Sequence, residues 1–248
     1  MENQFTLPTE TVELPSKGLL YPLESPLAEG KIEIKYMSAK EEDILTNNSY
    51  IKDGTVIDKL LKALIVTNIN YNDLLVGDKN AIMVASRILG YGKDYEFEYG
   101  GESQTVDLTT LKDKELDGSI VVDRENNFNF TFPKVGIPVT FKLLTHGDEQ
   151  KIERELKGLK KINKNSSPEL TTRLKYILTS INGDTESKTI RNFIDNGLLA
   201  VDARAFRKKY TEISPDVDMK FDLTDSRGEE REASLPIGLN FFWPDADL

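Results

Sequence analysis

Residues 72–99, NDLLVGDKNAIMVASRILGYGKDYEFEY, lie without a gap on residues 196–223, NGLLAVDARAFRKKYTEISPDVDMKFDL. Leu74 falls on Leu198, Leu75 on Leu199, Asp78 on Asp202, Ala81 on Ala205, Asp94 on Asp218 and Phe97 on Phe221. In the first copy, Ile82, Val84, Ala85, Ile88 and Leu89 recur at helical spacing until LGYG, and KDYEFEY then alternates as a strand does. A helix beginning near Asp78 and stopped by glycine fits this change of period. Gly100 and Gly101 suit a tight turn into a second strand, QTVDLTTL.

Working outward, KIEIKYM at 31–37 alternates with Ile32, Ile34 and Tyr36 on one face, so a strand is expected. Ser38 with Glu41 forms a capping box, in which each side chain satisfies a free backbone N–H at a helix start. IKYMSAKEEDIL lies on FKLLTHGDEQKI, setting Lys35 on Lys142 and Ser38 on Thr145, which caps toward Asp148. Thr55 with Asp58 starts another helix, carrying Leu60, Leu61, Leu64 and Ile65. In the later half, GIPVTFKLL reads as a strand and Ser167–Pro168 as a helix start, with Leu170, Leu174, Ile177, Leu178 and Ile181 on one face. ESKTIRNFIDNG supplies an additional helix, and 111–132 reads as strands and turns bridging the halves. The expectation is an α+β chain: two similar strand–helices–hairpin halves, 31–135 and 136–248, related by internal duplication about a pseudo-twofold axis and preceded by an extended N-terminal arm, 1–30.

Composition narrows the function. The chain of 248 residues has no cysteine, which excludes disulfides, thiolate metal sites and thiol nucleophiles. Its net charge of −10 disfavours phosphate backbones and anionic lipid, so neither nucleic acid nor membrane is expected as a partner. Lys157, Lys160, Lys161 and Lys164 read as a solvated helix face. The first residues lack a secretory signal, no window is long enough to span a membrane, and a cytosolic protein is expected.

No catalytic constellation stands out. The one histidine, His146, has no serine in a nucleophile elbow to serve, and it falls in a helix first turn where no chemical role is expected. Glu41, Glu42, Asp43, Asp148 and Glu149 cluster in helix first turns, where they complement the dipole. DVDMKFDLTD lacks the glycine and closing glutamate of a calcium loop and reads as a strand with an acidic face. Catalytic residues, cofactor and metal are all expected to be absent.

The two ends carry the candidate partner-binding residues. ELPSKGLLYP at 13–22 sets Leu14, Lys17, Leu19, Leu20 and Tyr21 among prolines at 8, 15, 22 and 26, which disfavour regular pairing and suit an extended arm that either lies along its own domain or docks on another protein. At the other end, Phe241, Phe242 and Trp243 either close the core or anchor an interface.

LPSKGLLYP, YMSAKEEDILTNNSYIKDGTVIDKLLKALI and DLLVGDKNAIMVASRILGYG together resemble the baseplate hub assembly proteins of T-even-type contractile-tailed bacteriophages. The match is strongest over about 14–99 and continues more loosely through VTFKLLTHGDEQKIERE; KEEDIL, LLVGDKNA and RILGYG are its specific parts. Some relatives carry a paired-cysteine turn where this chain reads EFEYGGESQTVDL, so no metal role carries over. The resemblance implies a non-enzymatic tail protein that helps build the baseplate hub in the host cytoplasm, with other hub or tail proteins as partners. A chaperone for hub or tail-ruler components and a permanent baseplate subunit are both compatible with it.

Overall fold

The computed structural model describes residues 7–162, 168–224 and 230–242. It has an α+β architecture of small antiparallel sheets and packed helices. The first half runs β1 (Thr9–Glu13), β2 (Lys31–Lys35), α1 (Ala39–Leu45), α2 (Asn48–Asp53), α3 (Val56–Leu64), α4 (Val76–Tyr91) and the hairpin β3 (Asp94–Tyr99) with β4 (Glu102–Asp107). A short β5 (Lys112–Lys114) follows. The second half runs β6 (Phe128–Thr131), β7 (Pro138–Phe141), α5 (His146–Ile162), α6 (Glu169–Ile177), β8 (Leu178–Ile181), α7 (Ser187–Asn196) and α8 (Ala200–Ile213), and ends in β9 (Asp216–Asp218), β10 (Lys220–Thr224) and β11 (Glu230–Ser234). β5 pairs with β9 and so joins the bridging section to the second half. Among the described residues no helix is long and apolar enough to cross a membrane.

Local chemistry recurs between the halves. β1 pairs antiparallel with β2 and β6 with β7. Leu14 N–H then donates to Gly30 O at 2.8 Å, and Phe132 N–H to Ile137 O at 3.0 Å. Lys35 pairs with Glu41 at 2.8 Å, and Lys142 with Asp148 at 2.7 Å. The backbone N–H of Ser38 and of Thr145 donates to the same carboxylates, closing each helix start. The chain leaving α3 is extended at Ile65 and bridges Ile34 of β2, while the chain leaving α6 is extended at Leu178 and pairs with β7.

These contacts correct the reading of residues 1–30. ELPSKG in the arm stands where TFPKVG stands before the second half, so the arm's first strand belongs to the first unit. The difference is the connection: residues 16–30 make a long loop in the first half, whereas Pro133 to Ile137 make a tight turn in the second. α4 begins at Val76, two residues before Asp78. The apolar run through Leu178 and Ile181 is not one helix face: the helix ends at Ile177 and these residues enter the sheet.

The halves share one core. Phe97 and Phe221, aligned in the sequence, meet edge to face with centroids 5.2 Å apart, so the hairpins face each other through matched residues. The second junction is not reciprocal. Leu75 bridges Thr145, Val76 N–H donates to Leu144 O at 3.1 Å and His146 N–H to Leu74 O at 2.7 Å. The matched Leu199 and Ala200 are instead exposed, so the expected pseudo-twofold is not closed here.

Candidate functional site

The structure places the arm residues singly rather than as a free apolar strip. Leu14, Leu20 and Tyr21 are buried in the chain's own core, Leu19 is half-buried near Gly118, and Lys17 is exposed and paired with Glu115. An arm whose apolar side chains await a partner is therefore corrected for Leu14, Leu20 and Tyr21. The cause is a polar lock on α4. The fully buried Asp78 carboxylate accepts from Ser16 N–H at 2.9 Å, Ser16 Oγ at 2.7 Å and Tyr21 OH at 2.5 Å. Tyr21 OH in turn accepts from Leu75 N–H at 2.9 Å, a donor left over at the helix start. Burial pushes the Asp78 carboxyl above its ordinary value, against the hydrogen bonds from Tyr21 and Ser16 that favour its charged form.

The loop behind this lock is held by Arg124, whose guanidinium donates to the carbonyls of Gly18, Tyr21 and Ala28. Gly18 sits at φ 71°, and a Cβ there would lie 2.5 Å from Ala28 O, so backbone packs directly on backbone. In the second half Asp202 repeats the lock with two backbone donors, Lys134 N–H at 2.7 Å and Val135 N–H at 3.3 Å. Replacing Asp78 with Ala orphans three donors and is expected to cost about 3 kcal/mol or more, read as a lower urea midpoint. Asp202→Ala is expected to lose about 2 kcal/mol because fewer, backbone-only donors are stranded.

At the other end, Phe241 and Phe242 are fully buried and pack on each other, with Phe241 edge-on to Tyr95. They close the core. Trp243 lies outside the described residues.

His146 occupies the junction. Its buried ring stands edge-on to Tyr71, with centroids 4.6 Å apart. Nδ1 lies 3.4 Å from Lys79 Nζ, and Nε2 lies 2.9 Å from the Gln150 amide and 3.5 Å from Asp58 Oδ2. Asp58 also accepts from Lys79 at 2.5 Å and from Tyr71 OH at 3.1 Å. The Lys79 ammonium and the Gln150 amide nitrogen both donate, so each asks its ring nitrogen for a lone pair, and a neutral imidazole meets only one of them. Burial, then Lys79, lowers the His146 pKa below its ordinary value of 6.5; Asp58 opposes the shift without reversing it.

The folded protein thus binds fewer protons here than the unfolded chain. The stabilisation is full above about pH 6.5 and is lost as pH falls through the lower folded value. Proton NMR of this sole imidazole is expected to give a midpoint below 6.5, and Lys79→Met to raise it. A midpoint at or above 6.5 would mean that Asp58 governs the ring.

Beside this cluster the halves line a partly open, mostly apolar pocket of about 300 Å³. Leu75 and Val76 line it from the start of α4, and Leu144, Leu174, Phe206 and Tyr210 from the second half. Leu170, 42% exposed, lies at its margin, where Arg173 pairs with Glu149 at 2.7 Å. The Tyr210 hydroxyl accepts from Leu144 N–H, and burial raises its pKa to about 12. The lining is mostly apolar, with Glu149, Arg173, Arg207 and Asp216 as its charged members. Among the described residues no three or more His, Asp or Glu side chains stand together as a metal site.

Comparison with protein-family models, curated proteins and solved structures finds no match to this chain. Sequence reasoning missed three residues that organise the site. Asp78 reads from the sequence only as the start of a helix and Asp202 only as the residue aligned with it, and Arg124 carries no local signal at all. Arg87 is buried on the Tyr91 and Tyr95 rings and donates to the carbonyls of Gly92 and Asp94, satisfying the chain as it leaves α4.

Proposed function

We propose that this chain is a non-enzymatic bacteriophage tail protein that acts in the host cytoplasm to assemble the baseplate hub, holding a hub or tail-ruler component until it is placed. The observation that carries this reading is the resemblance of KEEDIL, LLVGDKNA and RILGYG to baseplate hub assembly proteins. The physical roles of these strings support it. Glu41 closes the start of α1, Asp78 locks the arm onto α4, and Arg87 satisfies the exit of α4. The mostly apolar pocket between the halves, with Leu170 at its margin, offers a place for apolar side chains of a partner.

Co-expression with hub and tail-ruler proteins followed by affinity capture is expected to return a stoichiometric complex, and no such complex with any of them would sink the proposal. Mass spectrometry of purified particles then separates the two roles. A permanent baseplate subunit appears in fixed copy number, and an assembly factor is lost from the particle.

A further inference from the structure

Two asparagines in this chain stand directly before glycine, Asn182 and Asn196. A following glycine leaves the next backbone nitrogen unshielded by a Cβ, so it can attack the asparagine side chain wherever the two groups are free to meet. The fold treats the two sites in opposite ways.

Asn196 ends α7, and both of its reacting groups are held. Gly197 N–H donates to Phe193 O at 2.7 Å, and the Asn196 amide donates to Asn192 Oδ1 at 2.8 Å. Attack there must first break these bonds. Asn182 instead lies in the exposed turn that follows β8, with φ 50° at Asn182 and 82° at Gly183. Asparagine and glycine are the residues that tolerate such a left-handed pair. The turn is closed by Ile181 and Asp184, each N–H donating to the other's carbonyl at 2.9 Å. The Asp184 carboxylate is taken up by Glu186 N–H and Thr189 Oγ1. Among the described residues, neither Gly183 N–H nor the Asn182 side-chain amide has a hydrogen-bond partner.

We infer that Asn182 is a spontaneous deamidation site of the folded chain and that Asn196 is protected. The Gly183 nitrogen bonds to Asn182 Cγ, its proton passes to the departing amide, and ammonia leaves as the succinimide ring closes. Water then opens the ring at either carbonyl, giving aspartate or isoaspartate. Aspartate fits the same turn, whereas isoaspartate adds a methylene to the main chain. Asn182 N–H donates to the carbonyl of Pro138, the first residue of β7, at 2.9 Å. The lengthened backbone therefore unfastens this end of the β7–β8 pair.

Ageing the full chain at mildly alkaline pH, with samples taken over time for tryptic mapping by mass spectrometry, tests the assignment. Residues 176–188 and 192–204 fall in separate tryptic peptides, so the two sites are read independently. In the folded chain Asn182 is expected to convert about tenfold or more faster than Asn196, the change in rate that one hydrogen bond's cost in the barrier produces. In urea strong enough to unfold the chain the two are expected to convert at similar rates, since both precede glycine. The aged, isoaspartate-bearing chain is expected to exchange the amides of β7 and β8 faster than Asn182→Asp, which carries the charge without the methylene. The inference is overturned if Asn196 converts as fast as Asn182 in the folded chain, if Asn182 converts only in urea, or if urea leaves the ratio unchanged. Equal exchange in the aged chain and Asn182→Asp would overturn the loosening of the β7–β8 pair.

Discussion

Removing residues 1–22 is expected to unfold the first half, rather than to yield a soluble chain that has only lost a docking arm. The deletion takes away β1, leaving β2 without its antiparallel partner, and removes the buried side chains of Leu14, Leu20 and Tyr21. Burying each such apolar side chain contributes about 1.5–3 kcal/mol, so together they rival the roughly 5–15 kcal/mol by which domains are stable. The loss is compounded at Asp78. Without Ser16 and Tyr21 its carboxylate stays buried with no hydrogen-bond donor from the arm, and Leu75 N–H loses its acceptor. Circular dichroism and hydrogen exchange on the truncated chain read this directly. A cooperative melt close to that of the full chain would return Leu14, Leu20 and Tyr21 to the role of a detachable arm.

The arm misleads for a definite reason. Prolines at 8, 15, 22 and 26 suggest a segment unable to pair, yet Pro8 and Pro15 flank TETVE and leave its five residues free to form β1. Proline in a count disfavours a strand; proline at the two ends delimits one. Helix starts were legible because their chemistry is local: Ser38 and Glu41 lie three residues apart, as do Thr145 and Asp148. The partners of Asp78 and Asp202 were not legible, since their donors lie 62 and 68 residues away in loops without periodicity. His146 falls in a helix first turn as its alignment requires, but nothing near it in sequence announces Lys79, which is 67 residues distant. Leu178 to Ile181 fail differently. Their apolar spacing fits the face of a helix and the inside of a strand equally, and pairing with β7 decides for the strand.

Gly77→Ala is expected to cost several kcal/mol, although alanine in a helix ordinarily stabilises by about 1 kcal/mol relative to glycine. The sign reverses because the new methyl would lie 1.8 Å from the carbonyl oxygen of Pro215, and backbone cannot swing aside as a side-chain tip can. Either α4 moves away from β9, or the segment from Ser214 to Asp216 shifts and takes with it the Asn80 bond to Asp216 at 2.9 Å. Both routes loosen the junction that carries His146 and the mostly apolar pocket, so hydrogen exchange should rise on α4 and α5 together. Gly90, on the same helix, provides the matched comparison. A Cβ there meets the terminal methyl of Met37 at 3.0 Å, a flexible end that can rotate away. Gly90→Ala is therefore expected to be neutral or stabilising by up to about 1 kcal/mol. Urea unfolding of the two variants side by side separates the contributions: equal effects would mean that helix propensity governs both sites, whereas opposite signs would mean that Gly77 is required by the contact between the halves.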